Sequence, residues 1–101
     1  ALDAATIENG CMRYISGSHK LGLVDHTTIP DTPHLVPDGV DLAKSVAVPI
    51  KAGGCIFHHS LTLHHSYANL SDEWRRAFIC HYVLSDAEMP KRSPESVLRI
   101  R

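Results

Sequence analysis

The chain has 101 residues, of which 44% are hydrophobic and 21% are charged, and its formal net charge is −1. This length allows one domain at most, and the near-neutral charge excludes a general electrostatic attraction to nucleic acid or to an anionic membrane surface. No apolar run approaches the roughly 20 residues that a membrane-spanning helix needs. The three cysteines, Cys11, Cys55 and Cys80, form no C-x-x-C pair. We interpret them as buried, reduced thiols, which favours a cytoplasmic location.

The first half of the chain contains one predicted strand and a long loop. Asn9-Gly10 is a strong turn signal, and residues 11–15 follow it as the first predicted strand. Prolines and glycines argue against regular structure in residues 19–44. Loops of this length in compact domains are often functional. We therefore expect residues 21–44 to form a lid or a substrate-facing loop.

The second half contains the other predicted strands, at residues 45–50, 55–59, 61–66 and 75–84. Short strands at this spacing, with little helix signal, predict an all-β sandwich or barrel. Five strands cannot close an eight-stranded jelly roll, and open sheet edges are an aggregation hazard. We expect an upstream segment or another chain to complete the sheet, and residues 85–101 to form a polar C-terminal tail.

One face of a predicted strand carries side chains suited to metal and carboxylate binding. Strand alternation places His64 and Ser66 on the same face of the strand at residues 61–66. If the strand at residues 75–84 pairs with it, Arg75 lies near both side chains. On spacing alone, a histidine at a position like that of His64 is more often a hydrogen-bonded core residue than a metal ligand.

An imidazole, a hydroxyl and a guanidinium in one place would suit the binding of a metal ion and a keto acid. Two imidazoles and one carboxylate leave open positions on iron(II), which a keto acid and oxygen can fill. A guanidinium binds the far carboxylate of such a keto acid through two parallel hydrogen bonds, and a neighbouring hydroxyl can add another.

Three segments resemble a known family. Residues 8–20 contain Glu-Asn-Gly-Cys and then Ile-Ser-Gly-Ser-His-Lys, and residues 64–82 contain His-His-Ser, Asn-Leu-Ser, Arg-Arg-Ala and His-Tyr. Both segments are similar to the E-N-G…P-G-S-H and H-x-S-x-x-N-x-S…R motifs of phytanoyl-CoA dioxygenase-like oxygenases. Residues 48–57 resemble the strand-turn-strand that lies between those motifs. The resemblance covers residues 1–84, the C-terminal part of one domain, with residues 21–44 unmatched.

The resemblance implies a fold and a set of roles. The family has a double-stranded β-helix, a cupin-like jelly roll, and this chain would hold only its later strands. His64 matches the distal iron ligand, Arg75 matches the arginine that binds the 5-carboxylate of 2-oxoglutarate, and Ser66 matches the hydroxyl beside that carboxylate. The implied function is that of an Fe(II)/2-oxoglutarate-dependent dioxygenase, which uses oxygen to hydroxylate a small organic substrate and releases succinate and CO2.

The chain departs from the family in one important respect. The family's other iron ligands occur as an H-x-D motif on an earlier strand, and no histidine of this chain is followed two residues later by Asp or Glu. The chain also begins at Ala1 rather than Met. We therefore expect a fragment whose metal site is completed by an upstream segment or another chain. Because halogenating relatives replace the Asp of this motif, both hydroxylation and halogenation stay open.

Two alternatives compete with the oxygenase hypothesis. His58, His59, His64 and His65 could hold zinc or nickel in a histidine-rich module without catalysis, although structural zinc sites usually need four ordered ligands. The chain could also be a β-rich scaffold that has lost its site. The sequence does not indicate which substrate an oxygenase of this type would bind.

Overall fold

The computed structural model describes residues 1–31 and 35–83. Within these residues it contains five short strands, β1 (Met12–Tyr14), β2 (His26–Thr28), β3 (Leu35–Pro37), β4 (Val46–Ala47) and β5 (His64–Ser66). Two 3₁₀ helices, Ser18–Leu21 and Leu42–Lys44, complete the regular structure of this part. The prediction of an all-β fold is confirmed. The predicted tail at residues 85–101 and Leu84 lie outside the described residues.

Strand β1 is the centre of a three-stranded antiparallel sheet of order β4-β1-β5. Against β5, Met12 pairs with Ser66, Arg13 with His65 and Tyr14 with His64. On the other side, Arg13 pairs with Ala47 and Tyr14 with Val46. The strand predicted at residues 11–15 is therefore present, and it joins two segments that lie far apart along the chain.

A buried turn precedes β1. Oδ1 of Asn9 accepts a hydrogen bond from the backbone nitrogen of Thr6 at 2.7 Å, and its Nδ2 donates to the carbonyl of Ala4 at 2.8 Å. Thr6 Oγ1 accepts in return from the backbone nitrogen of Asn9 at 3.2 Å. Asn9 is only 4% exposed. Because an asparagine can mimic a backbone turn with its side chain, this residue closes the turn and directs the chain into β1.

The same turn packs against the chain that follows β5. Gly10 has φ of 80°, and a Cβ atom placed on it would lie 2.4 Å from the carbonyl oxygen of Tyr67. The backbone nitrogen of Leu70 also donates to the carbonyl of Glu8 at 3.0 Å. Glycine is required here both for its backbone conformation and for this close approach.

The prediction that residues 19–44 lack regular structure is wrong. Strands β2 and β3 form an antiparallel hairpin in which His26 pairs with Pro37 and Thr28 with Leu35. Thr27 Oγ1 donates to Asp38 Oδ1 at 2.8 Å, which ties the base of the hairpin. The proline signal misled the prediction because a proline is compatible with the end of an edge strand.

Two predicted strands are also absent from the described residues. Residues 55–59 and 75–83 form no strand, and the segments at 45–50 and 61–66 pair over shorter lengths, as β4 and β5. In the last segment, Phe78 is 79% exposed and Ile79 is 73% exposed, although they occupy opposite faces of the predicted strand. A β-like sequence does not form a strand without a neighbour to accept its hydrogen bonds.

The buried apolar residues are small. Ala5 and Cys11 are buried, whereas Trp74 and Phe57 are largely exposed. Cys55 and Cys80 are exposed as well, so the expectation of three buried thiols holds only for Cys11. Among the described residues, no helix has the length and apolar character that crossing a membrane requires.

The packing of Gly10 generates a stability prediction. We expect Gly10→Ala to lower the free energy of unfolding for two reasons. An alanine in a left-handed backbone conformation costs roughly 1–2 kcal/mol. The steric contact of its Cβ atom with the Tyr67 carbonyl costs about 1–3 kcal/mol more. Gly39→Ala is the matched control, since Gly39 has φ of 70° and no atom within 4 Å of an added Cβ. Urea denaturation measures both variants, and equal losses would contradict the predicted steric contact.

Candidate functional site

His64 and Ser66 lie on one face of β5, as the sequence predicted. Their partners in β1 are Tyr14 and Met12, whose side chains point to that same face. The Cα atoms of His64 and Ser66 are separated by two strand positions, roughly 7 Å. The face therefore presents an imidazole and a hydroxyl in a line along the sheet.

The imidazole of His64 has a defined hydrogen on Nδ1. This nitrogen lies 2.7 Å from the carbonyl oxygen of Thr62. Because a carbonyl can only accept, Nδ1 must donate, and in the neutral ring Nε2 then carries a free lone pair. His64 is exposed, so this lone pair can reach a ligand.

Two further rings surround His64. The ring of Tyr14 stacks on it with centroids 5.7 Å apart, and the ring of His58 lies 4.7 Å away. His58 also contacts Tyr14, at 5.0 Å. Burial raises the pKa of Tyr14, so its hydroxyl keeps its proton. Sequence reasoning missed Tyr14, because only the strand pairing shows that it is opposite His64.

His65 belongs to the opposite face of the sheet. Its Nε2 lies 2.9 Å from Ser45 Oγ, which accepts from Arg13 Nε at 3.0 Å and so has its own hydrogen available for the imidazole. Arg13 Nη2 also donates to the Ser45 carbonyl at 2.7 Å. Burial lowers the pKa of His65, and the positive charge of Arg13 lowers it further. This cluster stabilises the sheet and leaves His64 as the histidine of β5 on the candidate face.

Arg75 reaches the site by a route that the sequence did not predict. It belongs to no strand, and β5 pairs with β1 instead of with residues 75–83. Its Nε donates to the carbonyl of Asn9 at 3.0 Å. Asn9 precedes Met12, the partner of Ser66, by three residues, a span of at most roughly 10 Å. Arg75 thus lies at the Ser66 end of the β1–β5 pair.

Arg76 anchors the backbone beside Arg75. Its guanidinium binds the carboxylate of Asp3 through two hydrogen bonds of 2.9 Å, and its backbone nitrogen donates to the same carboxylate at 2.8 Å. The carbonyl of Arg76 accepts from the backbone nitrogen of Leu2 at 2.9 Å. These contacts hold the arginine segment against the start of the chain.

His64 and Ser66 therefore share one face of β5, and Arg75 lies beside the turn that leads into β1. No hydrogen bond joins the side chains of His64, Ser66 and Arg75 in the part of the chain that the structure describes. Nor do residues 1–31 and 35–83 contain a group of three or more His, Cys, Asp or Glu side chains that could hold a metal ion. The described residues around His64 therefore form no complete set of metal ligands.

The four histidines of the zinc alternative do not converge. His58 lies beside His64, but the ring of His59 packs on His19 with centroids 5.5 Å apart. His65 faces Ser45 on the other side of the sheet. The geometry does not support a shared site for His58, His59, His64 and His65.

Known proteins resemble this chain over most of its length. The family described as phytanoyl-CoA dioxygenase (PhyH) matches residues 1–77. A phytanoyl-CoA dioxygenase from Arabidopsis thaliana is 38% identical over 92 residues, which are 85% of this chain and 31% of that protein. A phytanoyl-CoA dioxygenase domain-containing protein 1 homolog from Caenorhabditis briggsae is 40% identical over 91 residues, or 80% of this chain and 32% of that protein.

A solved structure shares the fold. The crystal structure of EvdO2 from Micromonospora carbonacea var. aurantiaca superposes with a TM-score of 0.62 and 35% sequence identity, covering 70% of this chain and 30% of that one. Together with the antiparallel sheets, this likeness defines the class of protein as an all-β, cupin-like one. The chain belongs to the phytanoyl-CoA dioxygenase family, and it spans about a third of the length of the curated relatives it matches.

The hydrogen-bonded cluster around His65 predicts that the free energy of unfolding depends on pH. Because the folded state lowers the pKa of His65 below its usual 6.5, the unfolded state binds a proton more readily. This residue should therefore not affect stability well above pH 6.5, and should lower the free energy of unfolding as the pH falls from 6.5 through the lowered pKa. His65→Gln should flatten this part of the stability–pH curve, measured by urea denaturation, whereas Lys44→Gln on the exposed surface should not. A curve that is unchanged in His65→Gln would contradict the assignment.

The ion pair between Arg76 and Asp3 predicts a lowered pKa for the Asp3 carboxyl group. The hydrogen bonds from Arg76 lower the pKa of Asp3 from 3.8 to about 2. In Arg76→Gln, we expect the pKa of Asp3 to rise part of the way toward 3.8, as followed by NMR of its carboxyl carbon, because the backbone nitrogen of residue 76 still donates to it. A carboxyl that still titrates near 2 in the variant would show that another group lowers its pKa.

Proposed function

We propose that this chain supplies the distal part of the active site of an Fe(II)/2-oxoglutarate-dependent dioxygenase. His64 would be an iron ligand, and Arg75 and Ser66 would bind the 5-carboxylate of 2-oxoglutarate. The observation that carries the proposal is the hydrogen bond from His64 Nδ1 to the Thr62 carbonyl, on the face that His64 shares with Ser66.

The hydrogen bond between Nδ1 of His64 and the Thr62 carbonyl supports its role as a metal ligand. Histidines that bind metals usually donate their other ring nitrogen to a carbonyl or carboxylate, which sets the tautomer and the orientation of the ring. The Thr62 carbonyl does this at 2.7 Å, and the rings of Tyr14 and His58 restrict rotation from two sides. The Nε2 lone pair is then directed away from the backbone and is free to bind iron.

The hydrogen bonding of Arg75 supports a carboxylate-binding role. Its Nε is used by the Asn9 carbonyl, so the terminal nitrogens Nη1 and Nη2 are left to form the two-pronged contact that a carboxylate accepts. The anchored Arg76 keeps the neighbouring backbone in place. Ser66, whose side chain is exposed at the same end of the sheet, can donate a further hydrogen bond.

The residues that the structure describes contain no complete ligand set for iron(II). Iron(II) of this class takes two histidines and one carboxylate, and His64 fits one of the two histidine positions. The second histidine and the carboxylate would come from an upstream segment of the protein or from another chain. When bound in such a set, iron(II) together with 2-oxoglutarate supplies the activation of oxygen.

The chain's own residues would then bind and orient the co-substrate. Arg75 and Ser66 would hold the far carboxylate of 2-oxoglutarate, and His64 would be one ligand of the metal that binds its keto acid end. The reaction would hydroxylate a small organic substrate and release succinate and CO2. This function needs oxygen and no nucleic acid or membrane partner, and a cytoplasmic location suits the reduced iron that it requires.

The test is an anaerobic titration of the full-length protein with iron(II) and 2-oxoglutarate, followed by the visible charge-transfer band of the chelated keto acid. We expect His64→Ala to abolish the band. Arg75→Ala should raise the dissociation constant of 2-oxoglutarate on the order of 10- to 100-fold, since charged hydrogen bonds contribute about 1.5–3 kcal/mol.

Two controls sharpen this experiment. Arg75→Lys keeps the charge but loses the two-pronged geometry, and should fall between the wild type and Arg75→Ala. Lys20→Ala removes an exposed positive charge away from the site and should leave the titration unchanged. Wild-type protein that forms no band, or an Arg75→Ala variant that binds 2-oxoglutarate normally, would overturn the proposal.

A further inference from the structure

A cavity of about 270 Å³ opens between the β2–β3 hairpin and the chain that leads into β5. Leu23, Val24 and His26 line it from the hairpin side, and residues 60–64 line it from the other. Its size is close to the lower end of small-molecule sites, which are about 300–1,000 Å³. The walls are largely aliphatic, and their polar side chains are two imidazoles and the hydroxyls of Ser60 and Thr62.

The two imidazoles have the same hydrogen-bond arrangement. His26 Nδ1 lies 2.7 Å from the carbonyl oxygen of Val24, as His64 Nδ1 lies 2.7 Å from that of Thr62. Since a carbonyl can only accept, His26 also carries its hydrogen on Nδ1, and Nε2 of the neutral ring is an acceptor. A smaller cavity of about 70 Å³ is also lined by both His26 and His64. The two histidines therefore stand at the junction of the two cavities.

The hairpin holds His26 in a defined place. His26 is paired with Pro37 in the β2–β3 ladder, and the next residue, Thr27, is bonded through Oγ1 to Asp38. On the preceding side, the backbone nitrogen of Asp38 donates to the carbonyl of Asp25 at 2.8 Å. These contacts fix the backbone of His26, and the bond from its Nδ1 to the Val24 carbonyl orients the ring, so Nε2 can act as a positioned acceptor.

We propose that His26 is a substrate-binding residue and that the cavity beside His64 accepts a mainly aliphatic molecule with a hydroxyl group. The hydroxyl would donate to Nε2 of His26, while Leu23, Leu61 and Leu63 would contact the hydrocarbon part. This rests on the proposed function, in which His64 marks the metal position. The hydroxyl bound to His26 then orients the hydrocarbon so that one of its C–H bonds faces the His64 side of the cavity.

The chemistry of the cavity favours this substrate class over a charged one. Its hairpin and β5 walls contribute no Lys, Arg, Asp or Glu side chain, and an unpaired charge would lose its hydration without gaining a partner. A neutral imidazole with its hydrogen already bonded offers an acceptor and no donor, which selects a hydroxyl over an ether of the same size.

The experiment uses the full-length, metal-free protein and measures binding by NMR of the histidine ring protons. The probes are 1-hexanol and methyl pentyl ether, which have the same composition but differ in the hydroxyl donor. We expect the wild type to bind 1-hexanol roughly three- to tenfold more tightly than the ether, the ratio expected for one net hydrogen bond. In His26→Phe the two affinities should become equal, with the ether bound as well as by the wild type.

A second variant separates the hydrogen bond from the shape of the side chain. In His26→Gln, an amide oxygen replaces the acceptor, and the preference for 1-hexanol should be partly restored. Lys20→Ala is the control and should retain the full preference. A preference that persists in His26→Phe, or equal binding of both probes by the wild type, would overturn the proposal for His26.

These outcomes are independent of those that test the metal site. His26→Phe should still form the charge-transfer band with iron(II) and 2-oxoglutarate, whereas His64→Ala should not. If His26→Phe loses the preference for 1-hexanol but still forms the charge-transfer band, the result supports the substrate-binding role of His26. Absence of the band in the wild type contradicts the oxygenase proposal even if the probes bind as expected, and the cavity would then be a binding site for aliphatic alcohols without that chemistry.

Discussion

The buried turn at Asn9 is the constraint on which the rest of the site depends. Its side chain bonds to Thr6 and Ala4, and its carbonyl accepts from Arg75. The turn therefore directs the chain into β1 and also binds the arginine that would hold 2-oxoglutarate. A buried amide is costly unless its polar atoms find partners, and no buried side-chain nitrogen or oxygen of the described residues lacks one.

The pairing of β1 with β5 explains why the two faces of the sheet differ. On one face Tyr14 stacks on His64, and on the other Arg13, Ser45 and His65 form a hydrogen-bonded cluster. Adjacent histidines of one strand thus have different environments. His65 has its Nε2 engaged by Ser45, whereas His64 has its Nδ1 engaged by a carbonyl and its Nε2 free. This difference supports the proposed metal-binding role of His64, whereas His65 belongs to the cluster that stabilises the sheet.

The exposed apolar side chains agree with the limited extent of the chain relative to its family. Phe57, Leu70, Trp74 and Phe78 are 74–86% exposed, which is unusual for large hydrophobic residues in a completed domain. The chain covers about a third of the curated relatives, so the family fold contains more strands than these residues supply. This limited extent agrees with the finding that residues 1–31 and 35–83 hold no group of three or more side chains that could bind a metal ion.

The sequence by itself determined the all-β class, the family, the Asn9-Gly10 turn and the shared face of His64 and Ser66, because turn residues and strand alternation are local properties. Only the tertiary structure decided which strands exist and what each side chain contacts. Residues 75–83 have a strand-like pattern, yet Arg75 reaches Asn9 from a segment without strand pairing. His26 gave no signal in a proline-rich segment, and it joins His64 at a cavity only because the hairpin folds back beside β5. Strand partners and cavities depend on contacts between distant segments, and no local pattern specifies those.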